Sequence, residues 1–289
     1  MVAAIVGTGS RRRRRLAPLR TWSLRGLVAL GALIFVAVLV YVTLSAFKPA
    51  QEITQVPLRW LPSSWEWGNL VRPFTETNFG LYLRNSSIVG VAVTLLNVLT
   101  CTMAGYGFAR YRFIGRDLLF LVVLATLMIP VEIIYVPLYA LIYDLGWTNS
   151  FAALIIPAGT SAFGIFLMRQ AAAGIPEELL EAARLDGAGE LRVLRHIAVP
   201  LMAGSMSVLA IFVFITNWDS HLWPLLVATD DEHRTLPVGL ATMQAGSVGN
   251  AALPMILSAA VLAVLPTVLL FLALQRRFVE GVAATAGLK

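Results

Sequence analysis

The amino-acid sequence predicts an all-α membrane protein with six transmembrane helices, and three observations lead to this prediction. Of the 289 residues, 58% are hydrophobic and only 13% are charged, which is about half the charged fraction of an average soluble domain. The mean hydropathy is +0.78. The apolar residues also form six stretches, each close to the ~20 residues that a helix needs to cross the hydrocarbon core of a bilayer.

The six predicted spans differ in how uniformly apolar they are. They are Leu27–Ala46, Ser87–Ala109, Leu118–Tyr139, Phe151–Met168, Leu201–Trp223 and Leu253–Leu274. The third contains Glu132 shortly after Pro130, and a proline inside a helix removes a backbone hydrogen bond and kinks the helix. The fifth contains Asn217-Trp218-Asp219. Polar groups in these two spans therefore need a partner helix or a cavity.

The distribution of basic residues predicts the orientation of the chain. With the N-terminus in the cytoplasm, seven lysines and arginines lie in the N-terminal tail, three after the second span, four after the fourth and three at the C-terminus. In total, 17 of the 22 then lie inside and five outside. Because cytoplasmic loops carry an excess of basic residues, both termini are predicted to be cytoplasmic. An even number of spans requires the same arrangement.

The N-terminal tail, residues 1–25, is expected to contact membrane lipid. It contains the run Arg11–Arg15 directly before the first span, and polybasic segments in that position bind anionic headgroups and fix topology. The net charge of +6 could also suggest nucleic acid, but none of the known nucleic-acid-binding modules accompanies it. We therefore expect no nucleic-acid partner.

The segment between the first two spans, residues 48–85, is rich in aromatic residues. Aromatic side chains are enriched at membrane–water interfaces. We therefore expect a structured cap at the outer interface.

The sequence contains no recognisable catalytic or metal-binding motif. Its two lysines, Lys48 and Lys289, do not follow a glycine, and a P-loop needs a Gly-Lys pair to hold phosphates. The three histidines, His196, His221 and His233, are scattered and form no His-Glu-x-x-His pair of the kind that binds zinc. We therefore expect a non-catalytic chain that binds no metal and no cofactor.

A charged segment, residues 177–201, interrupts the apolar sequence between the fourth and fifth predicted spans. Pro176 followed by Glu177 and Glu178 predicts a helix start, since proline is tolerated in the first turn and acidic residues stabilise the positive end of the helix dipole. Gly187 predicts the helix end, because glycine readily adopts a left-handed cap. A second short helix, Glu190–Ala198, is predicted to follow, with Pro200 at the entry to the fifth span.

The first of these short helices is predicted to be amphipathic. Leu179, Leu180 and Ala183, together with Ala182, can share one face, with the glutamates turned elsewhere. Small alanines allow close approach by another surface. The residues alone leave two interpretations open, namely docking on a partner protein and lying on the lipid surface.

The spacing of this segment resembles that of a known family. Glu181-Ala182-Ala183, three residues, Gly187, nine residues, Ile197, one residue and Val199-Pro200 resemble the EAA loop of binding-protein-dependent ABC importer permeases, which usually have leucine at position 199. The longer form EAARLDGA is similar to that of sugar importers of the maltose and glycerol-3-phosphate type. Further matches are Met128-Ile129-Pro130, Leu138 with Gly146 and Asn149, Asn217-Trp218 with Trp223-Pro224, and Gln275-Arg276-Arg277-Phe278.

The resemblance implies a permease domain over residues 26–289, with a coupling loop at 170–200 that docks on a separate ATPase. Glu181, Ala182, Ala183 and Gly187 would form the contact and its pivot, and Asp186 matches a family position. The implied partners are a second permease subunit, an ATPase dimer that binds ATP and Mg, and an extracytoplasmic substrate-binding protein. The implied location is a bacterial plasma membrane, and the implied cargo is a sugar, oligosaccharide or glycerol-phosphate compound.

Polar residues inside the spans are the candidates for the translocation path, because such residues are costly in lipid and usually face a cavity or a partner helix. The candidates are Glu132, Asn217, Asp219, Asn97 and Ser161. For Glu132 an outer-interface position is equally compatible with the sequence, and Asn217 and Asp219 fit a packing role as easily as a path.

Two other functions compete with this interpretation. An ABC permease for a non-carbohydrate substrate has the same general layout. An ion-coupled secondary transporter predicts ionisable residues at the membrane midplane and inverted repeats, whereas this sequence has one candidate carboxylate and no evident repeat.

Overall fold

The computed structural model describes the backbone of residues 10–246 and 250–285 and the side chains of residues 25–246 and 251–273. Every regular element in that part of the chain is helical, which confirms the predicted all-α fold class. The chain forms two compact units, Met1–Leu70 with Gly249–Val261 and Val71–Val248 with Leu262–Lys289. The predicted basic tail, apart from Arg25, and the match at 275–278 lie outside the described side chains.

The first unit contains a long apolar helix followed by a folded loop. Its elements are α1 (Ser10–Ser45), α2 (Ala50–Ile53), the 3-10 turns Trp67–Leu70 and Asn250–Ala252, and the beginning of α14 (Leu253–Thr285). Lys48 is fully buried in the loop. Its ammonium group donates to Ser45 Oγ at 3.3 Å and to the Arg59 carbonyl at 2.6 Å, and lies 4.4 Å from the centre of the Tyr41 ring. A buried charge needs such partners, and here they fold the loop onto the end of α1.

The second unit is built around α4, a helix of 32 residues. Its elements are α3 (Arg72–Glu76), α4 (Phe79–Arg110), α5 (Arg116–Thr126), α6 (Val131–Asp144), α7 (Phe151–Ile155), α8 (Ala162–Ala173), α9 (Glu177–Leu185), α10 (Glu190–Val193), α11 (Val199–Trp218), α12 (Leu222–Val227), α13 (Leu236–Gly246) and the remainder of α14. Small residues let α4 and α8 approach closely. A Cβ atom on Gly105 would lie 2.6 Å from the backbone of Arg169, and one on Gly164 would lie 2.6 Å from Cys101 Sγ.

Four helical segments in the described part of the chain are long and apolar enough to cross a membrane. They are Arg25–Ser45, Phe79–Arg110, Glu190–Trp218 and Leu253–Ala273. The pair α5 and α6, which corresponds to the third predicted span, would make a fifth, although the two helices are bent by 100°. The bend falls at Pro130, which precedes α6 and cannot continue a helix hydrogen bond. The predicted count of six spans is therefore not confirmed by helix length.

The fourth predicted span, Phe151–Met168, is not one continuous helix. It is divided into α7 and α8 by residues 156–161, which include Pro157. The carbonyl groups of Ala158 and Gly159 in this break accept hydrogen bonds from α4, from Asn97 Nδ2 at 3.0 Å and from Thr100 Oγ1 at 2.6 Å. Broken helices are tolerated in membranes where neighbouring side chains satisfy the freed backbone groups.

The boundary predicted at Pro200 is wrong. Residues Glu190–Trp218 form one continuous helical segment of 29 residues, with a widened π turn at Leu194–Ala198 in which the Val199 N–H donates to the Leu194 carbonyl. Proline has no N–H and its ring collides with the carbonyl four residues earlier in a regular helix. The wider turn lies directly before Pro200, and the helix passes through the proline instead of restarting at it.

Candidate functional site

The 170–200 segment has the helix–break–helix backbone that its sequence predicts. Pro176 precedes α9, and Gly187 follows it with a φ angle of +80°. The Gly187 N–H donates to the Arg184 carbonyl at 3.0 Å, and the Ala188 N–H donates to the Ala183 carbonyl at 3.0 Å. These two bonds form a Schellman cap. The predicted stop at Asp186-Gly187 is confirmed, and glycine is suited to it because other residues are strained at positive φ.

The residues of α9 that were predicted to share one face differ in burial. Leu180 is fully buried, and Ala183 is partly buried one turn further along. Leu179 and Ala182 are exposed, so the four residues predicted to share one face do not all pack inward. Residues i and i+3 share a helix face, and these are the two apolar residues of this helix that turn inward.

The exposed face of α9 contains most of the residues that match the family spacing. Glu181, Ala182, Asp186 and Gly187 are exposed, and Ala183 lies at the border with the buried face. Leu185 follows on the same open side with 88% of its surface exposed. The segment therefore presents small, acidic and apolar groups together on an open helix face next to a fixed turn.

Arg110, the last residue of α4, holds the beginning of α9, a role that was not predicted from the sequence. Its side chain is only 9% exposed. It donates to the Ala172 carbonyl from Nε at 3.1 Å and from Nη2 at 2.6 Å, and also to the Ile175 carbonyl. Its Nη1 lies 2.6 Å from Glu177 Oε2. No local sequence signal could have identified it, because its partners Ala172 and Glu177 lie 62 and 67 positions further along the chain.

Glu190 stabilises the other end of α9. It accepts from Arg184 Nε at 2.9 Å and from the Tyr111 hydroxyl at 3.1 Å. The hydrogen bond to Glu190 raises the pKa of the Arg184 guanidinium. Partial burial, followed by the hydrogen bond to Glu190, raises the pKa of the Tyr111 hydroxyl. Arginine and tyrosine side chains are protonated at physiological pH, so the two donors in these contacts between α9, α10 and the residue after α4 do not titrate there.

Two of the five translocation-path candidates lie together. Asn97 is buried, with 2% of its surface exposed. Besides its bond to Ala158, its Oδ1 accepts from Ser161 Oγ at 3.3 Å and from Cys101 Sγ at 3.3 Å. Ser161 in turn caps α8 by accepting from the Gly164 N–H at 3.1 Å. Here both side chains bond to protein groups, and their place on a path stays a prediction.

The other three candidates lie at helix ends. Glu132 is exposed in the first turn of α6. Asn217 donates from Nδ2 to the Val213 carbonyl of its own helix at 3.0 Å, and Asp219 is exposed directly after α11. The neighbouring Trp218 is buried and donates to the Ala263 carbonyl at 3.0 Å. The Asn217-Trp218-Asp219 match therefore includes at least one residue with a packing role.

No group of three or more histidine, cysteine, aspartate or glutamate side chains within the described ranges is arranged to hold a metal ion. The contacts described above are hydrogen bonds and ion pairs that fix helix ends. Their arrangement holds one amphipathic helix in place and leaves one of its faces open.

The comparisons with known proteins identify the family. Residues 97–283 match the family described as "Binding-protein-dependent transport system inner membrane component". The chain is 36% identical to the arabinooligosaccharides transport system permease protein AraQ of Halalkalibacterium halodurans, over 93% of this chain and 97% of that protein. It is 35% identical to the sn-glycerol-3-phosphate transport system permease protein UgpE of Pectobacterium atrosepticum, over 80% and 84%.

A solved structure has the same fold. It is that of a bacterial ABC transporter involved in the import of the acidic polysaccharide alginate, with a TM-score of 0.81 at 21% identity over 94% of this chain and 100% of that chain. The family match covers more than half of the present chain, and the AraQ relative matches nearly all of it. The chain therefore belongs to the family of inner membrane components of binding-protein-dependent transport systems, the permease subunits of ABC importers.

Proposed function

We propose that this chain is one of two permease subunits of an ATP-driven importer for an oligosaccharide or a glycerol-phosphate-type substrate, and that α9 couples it to a separate ATPase. The observation that carries the proposal is the exposed face of α9, where Glu181, Ala182, Asp186 and Gly187 are open to a partner. In this proposal Gly187 is the pivot of α9, and Ala183 lies at the edge of its contact with the ATPase.

Two exposed leucines support docking on a protein. Leu185 is 88% exposed and Leu191 is 75% exposed, on either side of the Gly187 turn. Large apolar side chains grouped on an exposed surface are typical of an interaction site. A lipid-lying helix would use one continuous apolar face, but the most apolar inward position of α9, Leu180, is already buried within the second unit.

The proposed division of labour follows from the sequence. This chain contains no Gly-Lys pair for a P-loop, so ATP and Mg bind to the partner ATPase dimer. The excess of basic residues supports a cytoplasmic position for α9 and both termini, in the plasma membrane of a bacterial cell. A second permease subunit completes the path, and an extracytoplasmic binding protein delivers the substrate. The chain itself has a transport role and no catalytic one.

The substrate class is inferred from the relatives. Their names specify arabino-oligosaccharides and sn-glycerol 3-phosphate, which share hydroxyl-rich chemistry. Glu132, Asn217 and Asp219 remain candidates for the path, with Asn97 and Ser161 supporting the broken helix beside it. Family membership does not favour an ion-coupled secondary transporter, and the names of the relatives do not favour a non-carbohydrate permease.

The test is purification of the chain in a mild detergent, mass spectrometry of its partners, and transport in proteoliposomes. We expect a second permease subunit and a P-loop ATPase to co-purify. With the binding protein added, ATP should drive uptake of labelled arabino-oligosaccharide or glycerol 3-phosphate. Recovery of the chain alone with ATP-independent transport would overturn the proposal. ATP-driven uptake of an amino acid but of neither compound would overturn the substrate class alone.

A further inference from the structure

Arg110 spans the segment of chain that joins α8 to α9. That link consists of Gly174, Ile175 and Pro176. The guanidinium donates to the Ala172 carbonyl before the link, to the Ile175 carbonyl inside it, and to the Glu177 carboxylate after it. One side chain at the end of α4 therefore contacts both helices and the chain that joins them.

The link would form a hinge without this contact. The Gly174 N–H makes a bond to the Gln170 carbonyl at the end of α8, and Pro176 carries no N–H with which to continue the helix across the gap. No side chain caps the beginning of α9. The last carbonyls of α8 form the negative end of a helix, where a cation is favoured. Arginine suits the position because its planar guanidinium group can donate hydrogen bonds in several directions at once. A lysine ammonium group does not reproduce this geometry.

We propose that Arg110 is the positioning residue that locks the 174–176 hinge, so that α9 moves as one body with α4 and α8 when the ATPase displaces it. The inference rests on the proposed coupling function of α9. With the lock in place, a shift of α9 pulls on the end of α4. Without it, α9 follows the ATPase by bending the link, and the shift is not passed through the link to α4 and α8.

The opposite end of α9 does not replace this lock. There Arg184 and Tyr111 both bond to Glu190, which connects α9 to α10 and so to α11. Arg184 Nη1 also lies 3.8 Å from Glu177 Oε1, a longer contact than the 2.6 Å of Arg110. Arg110 is thus the main partner of Glu177 and the one that reaches it from α4.

The test uses the complete importer in proteoliposomes with its binding protein and whichever of the two labelled compounds the wild type transports. The variants are Arg110→Gln, Arg110→Lys, Glu177→Gln and the double variant with glutamine at both positions. Arg112→Gln is the matched control, since Arg112 is exposed and forms no ion pair with the described part of the chain. Glu178→Gln is the control for Glu177. Three quantities are measured for each variant: the amount of ATPase retained per permease, the amount of ATP hydrolysed and the amount of substrate transported.

We expect Arg110→Gln to retain the ATPase and its hydrolysis while the substrate moved per ATP falls by about fivefold or more, the lower end of typical coupling between sites. Arg110→Lys should fall between this variant and the wild type. Glu177→Gln should show a smaller loss, and the double variant should be no worse than Arg110→Gln, since both changes remove one shared contact. The two controls should behave as the wild type.

An unchanged ratio of transport to hydrolysis in Arg110→Gln would overturn the proposal. If that variant fails to assemble, the ratios in Arg110→Lys and Glu177→Gln decide in the same way. A purely structural role would lower assembly, hydrolysis and transport in proportion and leave the ratio constant, which also counts against the lock. Failure of the proposed function itself is distinct, because the wild type would then neither retain an ATPase nor transport with ATP.

Discussion

The break between α7 and α8 and the break between α8 and α9 are stabilised by the same helix with different chemistry. In the first, Asn97 and Thr100 of α4 donate to the carbonyls of Ala158 and Gly159. In the second, Arg110 at the end of α4 donates to backbone carbonyls and to a carboxylate. Charged groups are costly inside the hydrocarbon region and neutral amides and hydroxyls cost less. The comparison shows α4 as a scaffold whose donors change from neutral to charged towards its end.

The two breaks also differ in what they leave open. Around residues 156–161 the side chains of Asn97, Ser161 and Cys101 bond to one another. In the 170–200 segment, by contrast, the hydrogen bonds and ion pairs lie on one side of α9, and the other side is exposed. In the first break, polar side chains thus satisfy backbone groups that the interrupted helix leaves free. In the second, they fix the position of α9 and leave its outer face exposed.

The largest expected effect comes from the turn that ends α9. Gly187→Pro is expected to abolish uptake, because proline cannot adopt the φ of +80° and removes the N–H that caps α9. The amount of permease in the membrane should change little, since the turn is exposed. Gly187→Asn is the matched control, as asparagine tolerates the left-handed conformation, and it should retain most of the uptake. Normal uptake by the proline variant would remove Gly187 from the coupling role.

Two leucines on opposite sides of α9 test whether its buried face contributes stability and its exposed face binds the ATPase. Leu180→Ala should lower the free energy of unfolding by about 2–5 kcal/mol, the usual cost of emptying a buried site, because Leu180 is fully buried. Leu185→Ala should leave stability unchanged, because Leu185 is 88% exposed. It should instead reduce the amount of ATPase retained.

Chemical unfolding in detergent and co-purification of the ATPase measure the two effects separately. If Leu185→Ala retained all of the ATPase, Leu185 would not belong to the docking surface. If Leu180→Ala were fully stable, the assignment of the inner face of α9 would be incorrect.

The sequence predicted α9 and its ends well because local signals control them. Pro176, the acidic first turn and Gly187 act within the helix itself, so spacing is sufficient. Which apolar residue of α9 is buried does not follow from the sequence, because the hydrophobic pattern offers Leu179 and Leu180 equally and only packing against the rest of the second unit selects Leu180.

Tertiary contacts were beyond the reach of the sequence pattern. Whether Phe151–Met168 is one span or two helices depends on donors supplied by α4, about 60 residues earlier in the chain. Arg110 was counted only as a basic residue that sets orientation. Its role depends on meeting Ala172 and Glu177, which lie 62 and 67 positions further along, and nothing local to Arg110 signals that.

The final prediction concerns the neutral break, where the expected effect is smaller. Asn97→Leu should lower the free energy of unfolding by about 1–3 kcal/mol, because the Ala158 carbonyl and the Ser161 hydroxyl would lose their partner in a buried place. Asn217→Leu is the matched control, since within the described residues that amide bonds to Val213 of its own helix, and it should cost less. Thermal unfolding of the detergent-purified chain measures both. Equal losses would mean that the break is held by packing rather than by Asn97, whereas a loss of uptake by Asn97→Leu at unchanged stability would place Asn97 on the translocation path.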